Sequence, residues 1–263
     1  ASNFGNGFVG LAFVLTPLSI VTLINDLGMS YQFTLCCIGA IVLSFTCFAA
    51  VTKYPQVSTG FSLSRSFTLL KKPAVLLAAL ALVCYIGLEF SMNTWIKPLM
   101  TELYGAGGNP DAVRNAGRTL AVFGLAMAVG RFLSSAVKNL SRIGSKVIAG
   151  ASLVSILSIA TLITTSSPVY AVIAVLVTGL AFAPMFPTIV GVTFARFDSS
   201  LYGSVFGIIF SIGLIGSMFL PKIIGILSVG RTVQQSLTIA AVIAGILFLI
   251  ALFIGGVRFK NEP

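Results

Sequence analysis

Glu89 is an acid about fifteen residues into a long apolar run, and at 1.5 Å per residue a helix carries it about 22 Å along its axis. That depth lies inside the hydrocarbon of a bilayer. An ionisable group there is expensive, so such groups face polar cavities and often carry ions or protons. Tyr85, Glu89, Asn93 and Lys97 recur at every fourth position and so lie along one slowly turning face of the same helix. A polar stripe of this kind predicts a solute-binding or ion-coupling surface. The alternative is a purely local role, with Glu89 bonded to a neighbouring helix or paired with Lys97. Trp95, the only tryptophan, stands near the end of the run. It suits either a headgroup-level anchor or a stacking surface for a sugar-like ligand. Arg131 follows Gly130 near the end of another apolar run, where it either snorkels to the membrane surface, the reading favoured here, or takes part in gating.

Two prolines, Pro184 and Pro187, fall in the middle of a further run, within Pro184-Met185-Phe186-Pro187-Thr188. Each removes a backbone donor, so this helix is expected to kink or unwind, with Phe186, Pro187 and Thr188 lining a cavity. Gly203, Gly207 and Ser211, then Gly213 and Gly216, are small residues at helical spacing and predict close helix packing. The sequence has no histidine, and Cys36, Cys37, Cys47 and Cys84 all sit in apolar runs without metal-ligand spacing. No metal or cofactor is expected. An intramembrane hydrolase would need a second catalytic group beside Glu89, and the sequence offers none, so the chain reads as a non-enzyme.

The elements that must position these residues follow from composition. Of the 263 residues 57% are apolar and 8% charged, whereas soluble domains carry roughly 25% charged residues, so lipid is the solvent that suits this chain. The runs are continuous rather than alternating, which excludes a membrane β-barrel. Crossings are expected at about Gly7–Ile24, Phe33–Val51, Ala74–Ile96, Thr119–Val137, Val147–Thr164, Val169–Val192, Gly203–Leu227 and Ser236–Gly256. The fold class is therefore an all-α membrane protein, a polytopic bundle of about eight transmembrane helices. The net charge of +10 belongs to the loops between crossings, so membrane topology explains it better than nucleic acid. The stretch between Thr52 and Pro73 is polar and basic, with Lys53, Arg65, Lys71 and Lys72. With that linker inside, the same face collects Lys138, Arg142, Lys146, Arg196, Arg258 and Lys260. The other face keeps Lys97, Arg114, Arg118, Lys222 and Arg231. Both chain ends then come out cytoplasmic, in a plasma or bacterial inner membrane. The chain starts at Ala1 rather than at a methionine and has no basic leader, which predicts a piece of a longer protein.

With these runs in hand the sequence resembles the major facilitator superfamily, two six-helix bundles joined by a basic cytoplasmic linker. Tyr85-Ile86-Gly87-Leu88-Glu89 followed by Trp95 is similar to the seventh helix of the fucose:proton symporter and glucose/galactose transporter group. Phe186-Pro187-Thr188-Ile189 is similar to its tenth. Arg142-Ile143-Gly144-Ser145-Lys146 resembles the tail of a cytoplasmic loop motif of the superfamily, with Ser141 where an acid is expected. Thr16-Pro17 stands where many antiporters carry Gly-Pro. The resemblance implies that residues 1–52 are the last two helices of an N-terminal bundle, 53–73 the cytoplasmic linker and 74–263 a six-helix C-terminal bundle. About four helices of the N-terminal bundle would then be missing. It further implies a secondary transporter that moves a small polar solute, a sugar or related metabolite, by alternating access, coupled to H⁺ or Na⁺. Glu89, Asn93, Tyr85 and Trp95 would be the solute or ion contacts, and Arg131, Phe186, Pro187 and Thr188 the cavity wall or gate. A membrane receptor or assembly subunit with the same fold and no transport cycle is the alternative.

Overall fold

A computed structural model describes residues 15–16, 19–20, 22–53, 68–105, 110–135 and 140–256. Most of the first expected crossing, the middle of the linker, Arg65, Lys138, Arg258, Lys260 and the side chain of Arg142 lie outside the described residues. After a π-type turn at Thr22–Asp26 come α1 (Tyr31–Val51), α2 (Pro73–Tyr104), α3 (Pro110–Ser135) and α4 (Leu140–Thr164). They are followed by α5 (Pro168–Phe182), α6 (Met185–Phe194), α7 (Tyr202–Leu227), a short turn α8 (Val233–Ser236) and α9 (Thr238–Gly256). Among the described residues seven spans are long and apolar enough to cross a membrane, with α5 and α6 counting as one and α8 and α9 as another. The outer surfaces of these helices are greasy, with Leu157, Met218 and Phe253 all more than 60% exposed. In water that much exposed hydrocarbon would drive aggregation, whereas lipid tails solvate it.

The six spans from Pro73 to Gly256 pack on one another. Within that bundle α2 is central and supplies the longest run of buried residues, from Val75 to Met100. It also continues to Tyr104, beyond the expected end at Ile96. Pro98 removes one backbone donor, but Leu99 and Met100 beside it are fully buried, and that packing outweighs the local penalty. By contrast α1 is exposed along nearly its whole length, with Thr34 its one buried residue.

The closest helix contact is between α2 and α7. A Cβ on Gly87 would lie 3.1 Å from the Gly216 carbonyl oxygen, and one on Gly213 would lie 2.9 Å from side-chain atoms of Leu82 and Ile86. Gly203 and Gly207 have open space instead, and Ser211 is exposed. Of the small residues expected to pack, only the pair near the middle of α7 does so. Further ties hold the bundle at its two ends. Glu102, in the last turn of α2, accepts from the Val233 amide through both oxygens at 3.1 Å, and Gln234 Nε2 donates to the Leu162 and Thr165 carbonyls that close α4. At the opposite end Arg196 Nη2 donates to the Ile254 carbonyl at 2.7 Å, and Lys72 Nζ lies 5.2 Å from the centre of the Phe197 ring.

Candidate functional site

The proline-bearing run is broken where its composition predicts. α5 ends at Phe182, Ala183 and Pro184 form a turn, and α6 starts at Met185. Pro187 and Thr188 lie in the first turn of α6 and are buried, while Phe186 is half-buried. The Thr188 hydroxyl and its backbone amide both donate to the Pro184 carbonyl, which closes the first turn of α6 onto the break. α3 reaches this break closely, because Gly130 allows Ala183 to sit against it and Gly179 allows the Phe123 carbonyl and Ala126 to approach.

Arg131, next to Gly130, is 3% exposed and does not reach the membrane surface. The snorkelling expectation is therefore corrected, and the direction of the helix explains why. α3 runs toward the end of the bundle that carries Lys72, and side chains on a helix lean back toward its N-terminus. Arg131 consequently points away from the nearer surface and into the bundle. There its Nη2 donates to Glu89 Oε1 at 2.9 Å and to the Tyr85 hydroxyl oxygen at 3.2 Å. Glu89 itself is 6% exposed, so carboxylate and guanidinium form a desolvated ion pair. The partner is not Lys97, which lies exposed two turns further along α2.

The expected polar stripe thus divides by depth. Tyr85 is fully buried and Glu89 nearly so, whereas Asn93 is half-buried and donates its side-chain amide to the Glu89 backbone carbonyl at 2.9 Å. Trp95 is half-buried and faces α7, donating from Nε1 to the Pro221 carbonyl at 3.0 Å with its ring against Gly225. That bond satisfies the indole inside the protein rather than at a headgroup.

Aromatic rings connect the ion pair to the broken helix. The Tyr85 ring meets Phe182 edge-on at 6.0 Å and Phe186 at 6.2 Å, one on each side of the break. Phe186 in turn packs edge-on against Phe206 and Phe210 of α7 at 6.5 and 6.0 Å. Three elements therefore meet at one buried spot: the acid of α2, the base of α3 and the discontinuity between α5 and α6. Such a meeting of charge with interrupted backbone at membrane depth is tolerated where protein, not lipid, surrounds it.

The major facilitator superfamily profile matches residues 1–221. The chain belongs to the major facilitator superfamily. That membership agrees with the long apolar helices and marks the chain as part of an integral membrane protein. This major facilitator chain also superposes on two solved structures of the fucose:proton symporter FucP. One is in the outward conformation, with a TM-score of 0.65 and 20% identity over 85% of this chain and 54% of that one. The other is a single-residue variant of the E. coli protein, with a TM-score of 0.69 and 20% identity over 96% of this chain and 68% of that one. The chain thus spans about half the length of the first of these relatives. No curated protein sequence matches it.

Sequence reasoning found Glu89 and Arg131 separately and missed their pairing. The signal was present, since two opposite charges stood in neighbouring apolar runs and the leaning direction of a helical side chain decides where the longer one reaches. Gly87 and Gly130 were also missed as contact residues, for each is defined by the helix that approaches it. Among the described residues no cluster of His, Cys, Asp and Glu could hold a metal ion.

Proposed function

We propose that this chain is part of a secondary transporter that moves a small polar solute, a sugar or related metabolite, by alternating access between two helical bundles. The observation that carries the reading is the buried Glu89–Arg131 pair beside the break in the α5–α6 span. A buried ion pair is weak evidence of stability, because apolar residues of equal volume serve as well or better. Its retention at membrane depth therefore favours a working role, in which Glu89 exchanges Arg131 for a coupling ion or a solute hydroxyl during the cycle. H⁺ is the ion favoured, since a carboxylate takes a proton without a coordination cage and the structural neighbours are proton symporters. Asn93 and Trp95 stand further along α2 as solute contacts, and Phe186, Pro187 and Thr188 form the wall that moves.

In this proposal residues 1–52 belong to a first bundle, 53–73 to the linker and 74–263 to the second bundle. The linker and both ends face the cytoplasm, so the face carrying Glu102 looks outward. The reading is tested by uptake of a panel of radiolabelled sugars, L-fucose included, into proteoliposomes with an imposed inward proton or sodium gradient. Uphill accumulation that collapses when the gradient is dissipated is the expected result. Saturable binding of a sugar with no movement under either gradient would favour a receptor of the same fold.

A further inference from the structure

Tyr85 has no exposed surface from which to meet a solute, and its hydroxyl is engaged by Arg131. Its ring, however, meets a ring on each side of the helix break while belonging to the charged cluster. Phe182 ends α5 and Phe186 lies in the first turn of α6, so any change of angle at Ala183–Pro184 alters the seat of the Tyr85 ring. Conversely, any change in the ion pair alters the bond that fixes the Tyr85 hydroxyl. Packed aromatic seats have few discrete arrangements, and so they pass on a local shift rather than absorb it.

We infer that Tyr85 is a positioning residue that couples the Glu89–Arg131 pair to the angle of the broken helix, and is not a solute ligand. Its meaning for transport rests on the preceding reading, but the coupling itself does not require a solute. A competing route exists, because Gly130 touches Ala183 directly and could link Arg131 to the break without Tyr85. The Tyr85→Phe variant separates the two, since it keeps the ring between Phe182 and Phe186 and removes only the hydroxyl.

The test is a double-mutant cycle read by backbone hydrogen exchange in the purified protein in detergent, with the amides of Ala183, Met185, Phe186 and residues 188–190 reporting the hinge and amides 240–251 of α9 serving as control. Glu89→Gln is expected to speed hinge exchange about fivefold more than it speeds control exchange, and in the Tyr85→Phe background the same substitution is expected to leave that excess below about twofold. A fivefold effect that survives Tyr85→Phe would assign the coupling to the Gly130–Ala183 contact and overturn the inference. Absence of any effect of Glu89→Gln at the hinge would overturn it as well. Should Glu89→Gln loosen the control amides as much as the hinge, the cycle is run with Arg131→Lys, for which the same pattern is expected. Because no solute enters, a protein that fails to accumulate any sugar would sink the transport reading and leave this result standing or falling by itself.

Discussion

Replacing Glu89 by glutamine leaves the Arg131 guanidinium buried without its carboxylate, and replacing Arg131 by glutamine leaves the acid equally stranded. Removing one partner of a buried pair costs about 3–5 kcal/mol, whereas removing both charges together is often close to neutral. Thermal melts in detergent should therefore show each single variant well below wild type and the Glu89→Gln/Arg131→Gln double variant near it. Similar melting of all three variants would mean that the pair carries little of the stability. At this scale the sequence was informative about which residues mattered and less so about what they touch. An acid inside an apolar run is visible to inspection, but the partner of Glu89 lies 42 positions away on another helix. Tyr85 was likewise visible as a polar group, while its burial between two phenylalanines depends on how α5 and α6 fold back on α2.

The elements themselves were legible because their signals are local. Pro184 and Pro187, two missing backbone donors three residues apart, mark the break in the α5–α6 span, whereas the single Pro98 is carried within α2 by its buried neighbours. Which small residues of α7 make contact was not legible, because Gly203, Gly207 and Ser211 have the same spacing advantage as Gly213 and Gly216. The choice is made by α2, whose Val83 and Gly87 present backbone to Gly216 and whose Leu82 and Ile86 sit against Gly213. It follows that Gly216→Leu should destabilise the bundle by about 2 kcal/mol or more through overpacking, while Gly207→Leu should leave the melting temperature within a degree or so of wild type. Equal losses from the two substitutions would contradict the assigned contact face.

For the whole molecule, composition alone indicated lipid as solvent, and the apolar exterior of α4, α7 and α9 bears this out. The protein should therefore remain in the membrane fraction after high salt and carbonate washing, and should need detergent for extraction. Release by washing alone would contradict the fold as a membrane bundle. Which outer faces of the six-span bundle meet lipid and which meet another helix was not legible, since both are built from the same residues.

The central claim is that the buried pair serves transport rather than architecture. The Glu89→Gln/Arg131→Gln variant, compared with wild type in proteoliposomes under an inward proton gradient, tests it most directly. It should melt like the wild type and yet accumulate no sugar against a gradient; accumulation equal to wild type by this doubly neutral protein would contradict the account.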